Sequence, residues 1–467
     1  MTSDPRLLQE QASRLKAAGR LEEALAFNLR AVAAAPASAV AEHNLASTLG
    51  DLTRFAEAEE ATGRAFAKGL DAPETWLVRA RALQGLGRLD EAEAAYLEAI
   101  ARRAAYLEAQ RDLAQLRWMR TADANTALVT LEATMRTLPT VPELAMLHAK
   151  VLINAGEGRR AIASLKAALA RSPDHAGLHE AASRAAADLG DAAAQLDHAI
   201  AALRAAPSSA GAARAAVEAL LHMGRAGEAE QLVQRILPSA PNDQGLIALL
   251  STAWLLQKDS RHAALCEDPA FVSFSPIVAP TGWPSLDAFL AELGETLRGL
   301  HGWRTHPLEQ SLRHGSQTQI DLARSDLPVL RALFAALDAP IRTHIGGLGT
   351  GADPLRARPR LGGDYRILGA WSVLLQPGGR HVDHVHPEGW LSSAFYVDLP
   401  DAIDRGREGW LSFGRPGIPT TPRVEPFRAI RPEPGHVALF PSYLWHGTEP
   451  FAGDEPRLTV AFDLVPA

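Results

Sequence analysis

A chain of 467 residues exceeds what one hydrophobic core usually organises, so at least two domains are expected. Hydrophobic residues at 47% and charged residues at 22% exclude a disordered or low-complexity chain. A formal charge of −7 excludes a general nucleic-acid binder, which needs a concentrated basic surface to neutralise phosphates.

The first half repeats itself every 34 residues: Ala24, Ala58 and Ala92 are so spaced, as are Ala31, Ala65 and Ala99. The segments Gly19-Arg20-Leu21-Glu22-Glu23-Ala24 and Gly87-Arg88-Leu89-Asp90-Glu91-Ala92 are near copies. After a one-residue shift the period resumes through Ala127 and Ala161, and Pro139, Pro173, Pro207 and Pro241 with Gly156, Gly190 and Gly224 mark the later units. Each unit predicts two helices, with small residues where they cross closely, Gly in the turn and Pro after the second helix. These residues resemble the tetratricopeptide repeat. About seven units over residues 5–241 are expected, with the apolar run Leu246–Leu256 capping the last. Such arrays usually offer a concave groove to a protein or peptide partner.

After Lys258 the period ends, Pro and Gly become frequent and aromatic residues concentrate, which predicts domains over 1–258 and 259–467. Pro284–Leu300 and Leu327–Ile345 read as amphipathic helices. Short strands are predicted at Trp371–Gln376, Leu391–Asp398, Trp410–Phe413, Phe427–Ile430, His436–Phe440 and Leu458–Leu464. Helices followed by six to eight such strands suggest a support layer on a β-sandwich or barrel.

Within the strand region lies the densest set of metal-ligand residues, Arg380-His381-Val382-Asp383-His384-Val385-His386-Pro387. Alternate residues of a strand share a face, so His384 with His386, or His381 with Asp383, could each grip one ion; the two pairs differ in parity. A third ligand must come from a distant strand, and His446 in Phe440-Pro441-Ser442-Tyr443-Leu444-Trp445-His446-Gly447-Thr448 is the candidate. Eleven residues later comes Arg457-Leu458-Thr459. A non-haem iron(II) oxygenase needs three protein ligands on one face with open positions beside them. A dicarboxylate cosubstrate needs a buried cation, for which the guanidinium fork is suited.

This order, His-x-Asp or His-x-His, a distal His, then Arg, resembles the 2-oxoglutarate/iron(II) dioxygenase superfamily. More narrowly, His384-Val385-His386-Pro387-Glu388-Gly389-Trp390-Leu391-Ser392-Ser393-Ala394-Phe395-Tyr396-Val397, with Gly315-Ser316-Gln317-Thr318 and Leu439-Phe440-Pro441-Ser442, resembles the 2OG-Fe(II) oxygenase family often fused to tetratricopeptide repeats. The resemblance implies an all-α solenoid followed by a double-stranded β-helix of jelly-roll or cupin-like type with supporting helices. It also implies Fe(II), with 2-oxoglutarate and O₂ as cosubstrates, and hydroxylation driven by decarboxylation to succinate. On it, His384, His386 and His446 would hold the metal, with His381 and Asp383 the alternative pair that matches the superfamily's general pattern. Arg457, Thr459 and Tyr396 would contact the cosubstrate. Asp383 could instead orient a ligand histidine.

Three other classes compete. A cupin-type metalloprotein commonly adds a Glu four or five residues after its His-x-His, where this chain has Trp390 and Leu391. A zinc hydrolase would leave Arg457 unexplained. A non-catalytic repeat scaffold with a degenerate metal-binding domain is the remaining reading. Cys266, the single cysteine, permits neither an intrachain disulfide nor a cysteine-based zinc site. With no apolar run of signal-peptide length after Met1 and no span of about 18 apolar residues, a soluble cytoplasmic protein without a membrane partner is expected.

Overall fold

The structure, a computed structural model, describes residues 4–308, 310–358 and 364–467. The chain forms two compact units, Met1–Leu147 and His148–Ala467. From Pro5 to Ile236 the backbone runs as successive helix pairs, beginning with Pro5–Ala17 and Leu21–Ala34 and ending with Ala210–His222 and Ala226–Ile236. This is the tetratricopeptide-type solenoid expected from the period, and the division between units falls inside its helix Pro142–Asn154.

The repeating residues explain the helix pairs. Ala24, Ala58 and Ala92 are completely buried, so the helices cross where only a methyl group fits. Gly19, Gly87, Gly190 and Gly224 all turn with φ of 73°, a left-handed conformation that a side chain would strain. At the next residue Arg20, Arg88 and Arg225 each reach forward to the Glu three positions on, closing the start of the second helix. These ion pairs are exposed and add little; the alanines set the geometry. Ala92→Leu should therefore overpack the crossing and cost about 1–3 kcal/mol, read as a lower denaturant midpoint.

The helix Gln244–Leu256 behaves differently, because it is apolar all round and buried from Gln244 through Ala253. Leu246, Leu249, Leu250 and Ala253 pack against Val217, Leu221 and Val233 of the last repeat. Ile247 and Ala248 pack into the core of the following β-domain.

The described residues of that domain form nine strands: β1 Ser273–Pro276, β2 Leu312–Gln317, β3 Tyr365–His381, β4 Leu391–Asp398, β5 Leu411–Phe413, β6 Arg428–Ile430, β7 His436–Pro441, β8 His446–Thr448 and β9 Arg457–Pro466. They form an antiparallel six-stranded sheet, β1-β7-β4-β9-β3-β2, and a three-stranded sheet, β6-β5-β8, the arrangement of a jelly roll. Helices Leu286–Gly299 and Pro328–Gly347 support it, sharing one core through Phe289, Leu293, Leu333 and Ile341 with Phe395, Val437 and Phe462. On β9 the period of two is clean: Leu458, Val460, Phe462 and Leu464 enter that core, while Arg457, Thr459, Ala461 and Asp463 line a cavity on the other face.

Several features depart from the sequence expectation. β1, β2 and β8 were not foreseen, and β3 begins at Tyr365 rather than Trp371 and does not stop at Gln376 but continues through Pro377-Gly378-Gly379 to His381. Gly378 takes φ of 78° there, and the register with β2 shifts between Arg313 and Gly315, so the apparent turn is a bulge within a strand. Among the described residues no helix is long and apolar enough to cross a membrane.

Candidate functional site

The bulge carries β3 to His381, and the chain then crosses toward β8 outside regular strand structure. Two mutual backbone bonds pin it, His384 N–H to the His446 carbonyl at 2.9 Å and His446 N–H to the His384 carbonyl at 3.1 Å. A third joins His386 N–H to the Ser442 carbonyl at 3.0 Å. The segment thus brings His384 and His386 beside His446 without the continuous strand that alternation assumed.

Ring nitrogens of His384, His386 and His446 lie within 4.8 Å of one another, a group able to hold a metal ion. Their orientations are fixed from behind. His384 Nδ1–H donates to the Val382 carbonyl at 2.8 Å, and His446 Nδ1–H to the Leu444 carbonyl at 2.9 Å. His386 Nδ1 lies 2.7 Å from Asp463 Oδ2. With each proton on Nδ1, the Nε2 lone pairs face inward, and those of His384 and His386 approach to 3.1 Å. Lone pairs at that distance repel unless a cation lies between them. Burial, then the neighbouring His386, pushes the His384 pKa down to about 3, and burial with both neighbouring histidines holds His446 well below the usual value, so neither of these two rings readily takes up a second proton.

The alternative pair is placed elsewhere. His381 is half-buried beside the group, its Nδ1 2.9 Å from Ser311 Oγ, which also lies 3.2 Å from His384 Nε2. Asp383 turns away: its Oδ2 accepts from Arg415 Nε at 2.5 Å, and its buried Oδ1 has no hydrogen-bond partner. Burial raises the Asp383 pKa, against the pull of Arg415.

Arg457 is 2% exposed, and no carboxylate pairs with it among the described residues. Its Nε has no hydrogen-bond partner, and burial lowers its pKa. The Tyr396 ring centre lies 5.2 Å from the guanidinium carbon, and the Tyr396 hydroxyl is also unpartnered, its pKa raised to about 12 by burial. Tyr396 therefore lies behind Arg457 rather than on the cavity wall, whereas Thr459 is on the wall. A buried guanidinium with no carboxylate partner is costly, and an anion in the cavity would offset that cost.

These groups open onto a cavity of about 630 Å³. Trp371 stacks on the His386 ring at 5.9 Å between centres, and Phe440 packs at 4.5 Å from His446. Asn154, from a repeat helix, lies on the same cavity wall as Gln310, Arg313 and Glu388. Sequence reasoning missed Asp463, Ser311 and Trp371; an acid in phase with Arg457 on an otherwise apolar strand was the available signal for the first.

Residues 369–463 match the family described as Putative 2OG-Fe(II) oxygenase. Residues 43–108 and 146–210 match the tetratricopeptide-repeat family. The chain therefore carries a 2OG-Fe(II) oxygenase-like domain behind tetratricopeptide repeats, and the oxygenase-like stretch contains the three histidines, Tyr396, Arg457, Thr459 and Asp463. No curated protein matches the chain. Similar solved structures include a tetratricopeptide repeat protein from Parabacteroides merdae, 15% identical, covering 53% of this chain and 98% of that one, with a TM-score of 0.37. Another is the C-terminal part of a repeat protein from Cytophaga hutchinsonii, 16% identical, covering 52% and 98%, with a TM-score of 0.36. YrrB, described as a repeat protein with an unusual peptide-binding site, is 17% identical over 45% of this chain and 90% of its own, with a TM-score of 0.24.

Buried histidines outside the metal group give a pH prediction. His301 and His344 have pKa values lowered by burial from 6.5 to about 4. The folded state resists protons that the unfolded chain accepts, so this contribution is complete above pH 6.5 and is lost as pH falls toward 4. Thermal denaturation of chelator-treated protein should show the midpoint dropping steadily from about pH 6.5 downward. A flat profile to about pH 4.5 would contradict it.

Proposed function

We propose that the chain is an Fe(II)- and 2-oxoglutarate-dependent dioxygenase in which the repeats, residues 1–258, recruit a protein or peptide-bearing substrate for oxidation by residues 259–467. The observation that carries this reading is the set of three imidazoles with every Nδ1 turned to an acceptor and every Nε2 turned inward. The donor set fits a divalent transition metal, because neutral imidazole suits iron and the cavity leaves one side of the group open. His384, His386 and His446 would hold the ion. The orphaned Arg457 fits the far carboxylate of a dicarboxylate cosubstrate, with Thr459 beside it on the wall and Tyr396 behind, keeping water from the guanidinium. Iron with 2-oxoglutarate and O₂ would supply oxidative decarboxylation to succinate coupled to substrate hydroxylation.

The protein's own part is positioning and exclusion. Trp371 and Phe440 wall the histidine rings from water, and Asn154 places a repeat residue at the cavity where a recruited chain would enter. Anaerobic calorimetry should find one Fe(II) bound per chain, and incubation with 2-oxoglutarate in air should yield succinate. Binding of neither metal nor cosubstrate would leave the repeat-scaffold reading.

Arg457→Ala gives a separate expectation. It removes one charge-assisted contact, worth roughly 1.5–3 kcal/mol, so the 2-oxoglutarate requirement should rise on the order of ten- to a hundredfold. Metal affinity, titrated in the same samples, should stay near wild type.

A further inference from the structure

A site of three neutral imidazoles lacks the negative charge that a carboxylate ligand gives an iron(II) centre. The acid closest in sequence, Asp383, is engaged by Arg415. The acid closest in space is Asp463, whose Oδ2 lies 2.7 Å from His386 Nδ1. Its other oxygen accepts from Ser392 Oγ at 2.7 Å, and Ser392 is held in turn 2.9 Å from Ser442 Oγ. Asp463 is 8% exposed, and β9 carries it on the same face as Arg457.

Resting on the metal-centre reading above, we propose that Asp463 is a positioning residue that supplies the missing carboxylate from behind His386. The three histidines are not equivalent in this respect. Those at 384 and 446 donate Nδ1–H to main-chain carbonyls, which fix the rings but carry no net charge. His386 donates to an anion, which both fixes the ring and strengthens its Nε2 as a donor to the metal. The charge that the usual triad places on the metal is thus moved one residue outward, and a single strand holds both the cation for the cosubstrate and the anion for the metal.

The test is a Co(II) titration of the metal-free full chain and of Asp463→Asn, a substitution of nearly equal shape that keeps an acceptor and removes the charge. The dissociation constant of the variant should rise on the order of ten- to a hundredfold, and its visible ligand-field bands should shift. The melting midpoint of the metal-free variant should stay near wild type, which a merely structural role would not predict. Equal affinity with unchanged bands overturns the inference and leaves the metal-centre reading intact. A wild-type chain that binds no Co(II) overturns both. If Asp463→Asn does not fold, proton spectra of Co(II)-loaded wild type decide. Three paramagnetically shifted, solvent-exchangeable N–H signals, one per Nδ1–H, support the inference; two overturn it, because His386 would then not be presenting Nδ1–H to Asp463.

Discussion

His384→Ala and His446→Ala are each expected to abolish metal binding, while His381→Ala leaves it close to wild type. The rings at 384 and 446 point Nε2 at the same spot, and neither substitution disturbs the mutual backbone bonds that hold the two segments together. The fold should survive and the ion should be lost. Removing one of three ligands should cost at least a thousandfold in affinity, roughly 4 kcal/mol. His381 lies outside the group and meets it through Ser311 and by stacking on the His384 ring at 5.9 Å between centres, so its loss leaves the three inward nitrogens in place. Calorimetric titration of the three variants reads the ranking directly. A chain in which His381→Ala loses the metal and His384→Ala keeps it would move the ligand set to His381, Asp383 and His446.

Deletion of residues 1–258 is expected to leave an aggregating fragment, whereas a chain of residues 141–467 should fold, bind metal and turn over 2-oxoglutarate. The helix Gln244–Leu256 supplies Ile247 and Ala248 to the β-domain core. Trp445, immediately before His446, donates its indole N–H to Thr252 Oγ1 at 3.0 Å, and the Pro387 carbonyl after His386 accepts from Gln244 N–H at 3.2 Å. Each large apolar side chain bared by the deletion forfeits about 1.5–3 kcal/mol, and several together exceed the 5–15 kcal/mol by which domains are typically stable. Starting at 141 keeps helix Pro142–Asn154 whole and every one of these contacts. Size-exclusion profiles, metal content and succinate yield separate the two fragments. If recruitment is the role of the array, productive oxidation of a protein substrate should fall in the 141–467 chain while uncoupled turnover persists. Equal productive turnover in that chain would defeat the recruitment proposal.

The parts of this fold with a sequence period were readable. Alanine at 34-residue spacing marked the helix crossings, short apolar runs between turns marked β4 and β7, and alternation marked β9. The parts fixed by tertiary contact were not. β2 reads Leu-Arg-His-Gly-Ser-Gln, an edge strand with one fully buried apolar residue, and β1 is a four-residue edge ending in Pro276; neither has a pattern to detect. The Pro377-Gly378-Gly379 run carries the signature of a turn and forms a bulge because β2 pairs with the strand both before and after it. At the site, residue type singled out the histidines, but parity alone left two pairs open. The direction of Asp383 depends on Arg415, 32 residues away, and the role of Asp463 on a contact spanning 77 residues, neither of which local spacing encodes.

The helix Gln244–Leu256, buried on both sides, bears on how such a chain could exchange parts. A repeat array is usually interchangeable, because each unit touches only its neighbours. Here the final helix is shared between two cores, and Thr421 of the β-domain also bonds to the Leu221 and His222 carbonyls of the preceding repeat. A chimera carrying a foreign recognition array would have to inherit Ala210–Leu256 with the β-domain as one cassette, so the natural point of recombination lies a full repeat earlier than the change from helices to strands.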